Sequence, residues 1–259
     1  MNIGIVGAGA IAHFLLKEIN QKEHNDLRVK SVFVKDKRKY ETVASQFEVE
    51  LFTDLNDFLS SDINVVVEAA DINAVKDLVP DIITQKDVVV ISVGAFADME
   101  LVTKISHLAH KYKNDIHLPS GAIGGLDVLQ NAHALGKVTN VSLTTRKPAS
   151  SLITEEIEEA QVVFEGKAAE AIERFPKNMN VSIVLALAGI GMENTKVTLI
   201  ADPHIEKNIH HVEITGEFGE ATFTIKNNPL PENPKTSYLA AMSILGTLKR
   251  MNGKIRIGG

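Results

Sequence analysis

Asn2-Ile3-Gly4-Ile5-Val6-Gly7-Ala8-Gly9-Ala10-Ile11-Ala12 is the stretch that decides the fold. A β-branched run leads into G-x-G-x-x-A and on into a helix-forming segment, the context in which that spacing carries a mechanism. Gly7 permits the tight turn, Gly9 lets backbone approach a pyrophosphate, and the small Ala12 still allows close packing of helix on strand. The N–H groups of Ala10 and Ile11, at the helix start, then face the anion. The implied ligand is a dinucleotide, and the bland alternative is a glycine turn that only saves space.

Outward from that turn, β-branched runs at 2–6, 29–34, 63–68 and 88–93 alternate with amphipathic segments at 10–20, 40–46, 72–83 and 98–112. Such alternation builds right-handed βαβ units and a doubly wound parallel sheet of Rossmann type. After Pro119 the pattern changes. A small-residue loop, 120–125, and a helix, 126–135, precede strands at 141–145, 160–165, 196–201, 212–217 and 221–226. A mostly antiparallel sheet is expected, backed by the apolar helix 181–191. The domains are therefore 1–119, a dinucleotide-binding α/β domain, and 120–232, an α+β substrate domain. The helix in 233–259 is expected to return to the first.

The 259 residues exceed the roughly 100 to 200 of a usual single domain, so two domains are a natural division. The net charge is −6 and the basic residues are scattered, which argues against nucleic acid as a partner. With no cysteine there are no disulfides, thiolate nucleophiles or Cys-ligated metals, and a reducing cytoplasm fits. The first lysine, Lys17, follows the apolar N-terminal stretch rather than preceding it, unlike a secretory signal. The longest later apolar run is too short for a bilayer, so neither export nor membrane insertion is expected.

The second half of the dinucleotide fingerprint is an acid after the second strand. In Val34-Lys35-Asp36-Lys37-Arg38, Asp36 suits the ribose hydroxyls of NAD, whereas the neighbouring cations suit the 2′-phosphate of NADP, and both stay open. The loop Pro119-Ser120-Gly121-Ala122-Ile123-Gly124-Gly125 brings backbone close to a flat ring, or is merely a hinge. Asn180, just before the apolar helix, reads as an N-cap, a role compatible with a ligand contact. No histidine spacing matches a metal site, and none is predicted.

Several further stretches, taken with Gly7 to Ala12, resemble the L-aspartate dehydrogenase family. They are Ser92-Val93-Gly94-Ala95-Phe96-Ala97-Asp98, Pro119 to Asp127, Phe164-Glu165-Gly166, Phe175-Pro176-Lys177-Asn178-Met179-Asn180-Val181, Ala201-Asp202-Pro203, Asn208-Ile209-His210 and Asn233-Pro234-Lys235-Thr236-Ser237. The resemblance implies oxidation of L-aspartate by NAD or NADP to iminoaspartate, which feeds NAD biosynthesis or hydrolyses to oxaloacetate and ammonia. It also implies a homodimer, Ala122 and Asn180 as cofactor-contacting positions, and His210 as the active-site histidine. The family usually carries one histidine followed by an acid, whereas this chain reads His210-His211, so Asn208 sets the register.

On its residues alone His210 is more often a packed histidine, placed just before a strand, with His211 facing the opposite way. For the substrate carboxylates the candidate cations are Lys147, Lys177 and Lys235, each by itself more often a surface lysine. Lys235 and Thr236, at an expected helix start, come first, with Asn208 beside His210. The alternatives are another two-domain oxidoreductase, resembling homoserine dehydrogenase or dihydrodipicolinate reductase, and a dinucleotide sensor without turnover.

Overall fold

The computed structural model describes residues 1–22, 26–175 and 179–255, with residues 234 and 235 described in their backbone alone. The chain divides into two compact units. One is Met1–Pro119 with the segment beginning at Ala241, and the other is Ser120–Ala240.

The first unit runs β1 (Asn2–Val6), α1 (Ala10–Leu16), β2 (Arg28–Phe33), α2 (Glu41–Phe47), β3 (Glu50–Phe52), α3 (Leu55–Ser60), β4 (Val65–Glu68), α4 (Ile72–Ile82), β5 (Asp87–Val90), α5 (Met99–Tyr112) and β6 (Ile116–His117). A π-helical turn, Lys17–Gln21, continues α1. The six strands are parallel in the order β3-β2-β1-β4-β5-β6, so the chain reverses direction across the sheet between β1 and β4. That is the doubly wound arrangement, which receives ligands at the carboxyl ends of the strands where the order reverses. Ile3, Ile5, Val65, Val66, Val67, Val88, Val89 and Val90 are almost completely buried, as strands covered on both faces must be. Fully burying each such side chain contributes about 1.5–3 kcal/mol. Helix starts are capped where the sequence offers an acid: Asp54, Asp71 and Asp98 accept from backbone N–H groups of α3, α4 and α5.

The second unit runs α6 (Leu126–His133), β7 (Val138–Pro148), β8 (Gln161–Lys167), α7 (Ala168–Arg174), α8 (Asn180–Ala188), β9 (Lys196–Asp202), β10 (Asn208–Gly216), β11 (Gly219–Asn227), β12 (Pro229–Leu230) and β13 (Asn233–Ser237). Its sheet order is β11-β10-β7-β9-β8, antiparallel except for β7 with β9. The sheet is thus mixed, and the antiparallel expectation holds for three of its four pairings. Five consecutive buried residues, Ser182 to Ala186, make α8 apolar on most of its circumference, as its composition implied. A final helix, α9 (Tyr238–Asn252), carries most of its length into the first unit.

Gly125 shows how tightly the loop before α6 is held. Its φ is +81°, and a methyl built on its Cα would overlap the Phe223 ring. Gly125→Ala is therefore expected to destabilise the second unit by about 1–3 kcal/mol, from left-handed strain plus overpacking. Chemical denaturation monitored by circular dichroism measures this, and an unchanged midpoint would contradict it.

Candidate functional site

In the first unit, the turn quoted at the outset has the geometry its glycines allow. Gly7 sits at φ +97° and donates its N–H to the Phe33 carbonyl at 3.0 Å. A Cβ there would lie 2.8 Å from the Ala69 carbonyl oxygen, so the position admits only glycine without strain. Gly9 differs. Its backbone is extended, it precedes α1, and a Cβ built on it meets nothing within 4 Å. No side chain caps α1, so the N–H groups of Ala10 and Ile11 open the helix with no cap from the protein. Open space above glycine, a helix start and a strand-order reversal form a cradle that fits a pyrophosphate.

Asp36 follows β2, where a ribose would be met. Its carboxylate accepts from the Arg38 N–H at 3.0 Å and pairs with the Arg38 Nε at 3.4 Å. The acid that suits NAD and the cation that suits NADP therefore sit against one another.

Sequence reading missed Glu68, the last residue of β4. It is fully buried and accepts from Ala70 N (2.8 Å), Ser92 N (3.0 Å) and Ser92 Oγ (2.9 Å). Burial raises its carboxyl above the usual range, with those hydrogen bonds pulling back. The group ties the ends of β4 and β5 together next to the Gly7 turn. An acid closing the apolar run Val65-Val66-Val67 is the signal that could have disclosed it.

In the second unit, His210 is the centre. It lies within β10, because that strand begins at Asn208 rather than at Val212, so the placement before a strand is corrected. The long antiparallel ladders on both sides, to β7 and β11, carry pairing that far. His210 is 3% exposed and its Nδ1 lies 3.0 Å from Thr145 Oγ1, its partner across β7. His211 faces the other way, with Nδ1 2.8 Å from Thr224 Oγ1. Alternation along the strand thus separates the two imidazoles, one buried and one at the surface.

Burial pulls His210 down to about 4, and the positive charge of Lys147 pushes in the same direction. Lys147 in turn is lowered to about 8 by its own burial. The free protein holds a neutral imidazole beside a cation. As pH falls, the unfolded chain takes up a proton near 6.5 while the folded chain resists until about 4. The stability tied to His210 is therefore complete above about 6.5 and is lost progressively down to about 4. His210→Gln should flatten this acid-side decline, by on the order of 1 kcal/mol for each pH unit crossed. Urea unfolding of both proteins at pH 7 and pH 5 is the check, and parallel profiles would refute it.

Other candidates gather nearby or fall away. Asn208 pairs with Asn227 across β10 and β11, and Asn227 Nδ2 donates to the Ala122 carbonyl at 3.0 Å, so the loop carrying Ala122 is pinned to the end of that ladder. Asn180 is exposed at the first residue of α8 and makes no capping bond; Met179 holds the cap position, and Ser182 Oγ donates to its carbonyl. The N-cap expectation is corrected accordingly. Thr236 lies in β13, not at a helix start, since α9 begins at Tyr238; its hydroxyl accepts from Asn233 Nδ2 at 3.1 Å. Lys177 and the side chain of Lys235 lie outside the described residues. Among the described residues no group of three or more His, Asp or Glu is placed to hold a metal ion, and no helix is long and apolar enough to cross a membrane.

Comparison with known proteins finds similarity along nearly the whole chain. The family description "Aspartate dehydrogenase, C-terminal" matches residues 127–251, and "Homoserine dehydrogenase, NAD binding domain" matches residues 7–119. An L-aspartate dehydrogenase of Methanococcus maripaludis is 38% identical over 268 residues, covering 100% of this chain and 99% of the relative. One from Methanosarcina mazei is 39% identical over 272 residues with the same coverage. The crystal structure of aspartate dehydrogenase from Thermotoga maritima superposes with a TM-score of 0.82 at 32% identity, covering 99% of each chain.

Proposed function

The chain belongs to the L-aspartate dehydrogenase family, and from that premise we propose that it oxidises L-aspartate to iminoaspartate with NAD or NADP. The observation that carries this reading is the buried His210 in a cluster of neutral polar groups and one cation, within a chain whose other unit has a dinucleotide cradle. Gly7, Gly9, Ala10, Ile11 and Asp36 would hold the cofactor, which when bound would supply the hydride acceptor; Ala122 and Asn180 are further proposed cofactor contacts.

The substrate's ammonium must lose a proton before hydride leaves Cα, because only a free lone pair can form the C=N bond. In all, one proton leaves the nitrogen and one hydride leaves Cα, giving the protonated imine, which either leaves or adds water to give oxaloacetate and ammonium. His210 is the proposed proton acceptor. In the tautomer that donates Nδ1–H to Thr145, Nε2 keeps its lone pair. Two incoming carboxylates favour the imidazolium and raise its low pKa toward the working range.

Asn208 and Thr236, with Lys235, are further proposed substrate contacts. The imine feeds NAD biosynthesis in this reading, in the cytoplasm, where a cysteine-free chain is at home. We also expect a homodimer. The outer face of the five-stranded sheet, where Val162 is 58% exposed, is the proposed shared surface. The test is reduction of cofactor, followed by absorbance, with L-aspartate, D-aspartate, L-glutamate and L-homoserine, each with NAD and with NADP. Activity confined to L-aspartate supports the proposal, and activity confined to homoserine overturns it.

A further inference from the structure

Polarity on the inner face of the five-stranded sheet is confined to one end. Across the strands, Ile225, His210, Thr145 and Leu199 form one row by their register. Continuing the β7–β10 register by one residue sets Asn208 beside Lys147, so the next row is Asn227, Asn208, Lys147 and Ala201. On the other side of His210 the row is Phe223, Val212, Leu143 and Val197, wholly apolar. A buried sheet face is normally apolar throughout, and polar residues gathered at one end mark a place where the fold has given up packing for a ligand.

Charge on this face is one-sided. Among the described residues, β7, β9, β10 and β11 place no carboxylate on it in these rows, and Lys147 is their one cation. Arg146, the next residue, belongs to the opposite face and pairs with Asp202 at 2.6 Å. At the end of the polar row, Asn227 is 4% exposed. Its Nδ2 is committed to the Ala122 carbonyl, and its Oδ1 is buried with no partner among the described residues. A buried acceptor left without a donor is costly, which independently points to a ligand bearing N–H groups along this row.

We infer that the Lys147 ammonium binds one carboxylate of a small dicarboxylic amino acid, on the row beside His210. The identity of that amino acid rests on the function proposed above, whereas the placement of the cation does not. Burial lowers Lys147 only to about 8, so it stays mostly protonated at neutral pH, and an arriving carboxylate offsets the cost of keeping that charge out of water.

The experiment compares wild type with Lys147→Met and Lys147→Arg, with Lys147→Gln in reserve should the methionine variant fail to fold. Steady-state kinetics are run with L-aspartate, and calorimetric binding with succinate, which has both carboxylates but no amine to oxidise. Expected in Lys147→Met is a rise in KM of about 100-fold, with kcat changed far less and succinate binding lost, while dinucleotide affinity is kept. Lys147→Arg should retain succinate binding. Loss of kcat at unchanged KM in Lys147→Met would overturn the inference in favour of a proton-transfer role, and equal succinate binding by wild type and Lys147→Met would overturn it outright. A wild type that binds succinate through Lys147 yet does not oxidise L-aspartate would instead overturn the proposed reaction alone.

Discussion

Replacing His210 with alanine is expected to lower turnover of L-aspartate by about a hundred- to ten-thousandfold, the range in which a positioned proton acceptor contributes. Dinucleotide affinity should stay within about twofold, because the glycine turn proposed to cradle the pyrophosphate belongs to the other unit of the chain. The variant also strips the buried Thr145 hydroxyl of its partner, at a cost of about 1–3 kcal/mol in stability. His210→Asn separates the two effects, since its amide can still meet Thr145 but cannot serve as a base. Both variants should be equally inactive, with the asparagine protein melting closer to wild type. Wild-type turnover in either would end the assignment.

The second large effect is expected at Gly9. The position has an ordinary φ of −81° and a Cβ built on it meets nothing within 4 Å, so a valine there should hardly move the melting temperature. The space it fills is the space the pyrophosphate needs, and the dinucleotide Kd should rise by about tenfold or more. Gly7→Val provides the contrast. With φ at +97° and the Ala69 carbonyl in the way, it strains the fold itself. A Gly9→Val protein that binds dinucleotide as tightly as wild type would contradict the cradle, and one that unfolds would contradict the open space.

The parts of the fold that could be read in advance were those whose signal is local. β1 and its glycine turn, the alternation through β5, and the apolar α8 all follow from residues close together in sequence. Among the elements not anticipated are two short strands, β3 and β6, and two short helices, α3 and α7. Each is no longer than two turns of helix or three residues of strand, too short for a period to show, and each is held by pairing or packing with distant segments. The same reason explains the late start expected for β10. Asn208-Ile209-His210-His211 has weak strand character, and it is drawn into the sheet because β7 and β11 pair with it on either side.

The site divides along the same line. Gly7, Gly9 and His210 could be picked out because their chemistry is written in their own neighbourhoods or in motifs that resemble a family. Thr145, Asn227 and Glu68 could not, because their importance is relational: Thr145 matters as the cross-strand partner of residue 210, Asn227 as the donor that holds residue 122, and Glu68 as the tie to residue 92. From sequence alone came the parallel α/β unit, the dinucleotide turn and the histidine. Tertiary structure decided which of the adjacent histidines is buried, which lysine stands beside it, and that Asn180 and Thr236 do not occupy the helix-capping positions their neighbours suggested. The reason is physical: backbone propensity acts over a few residues, whereas burial and register join distant ones, as they do Ala122 and Asn227, 105 positions apart.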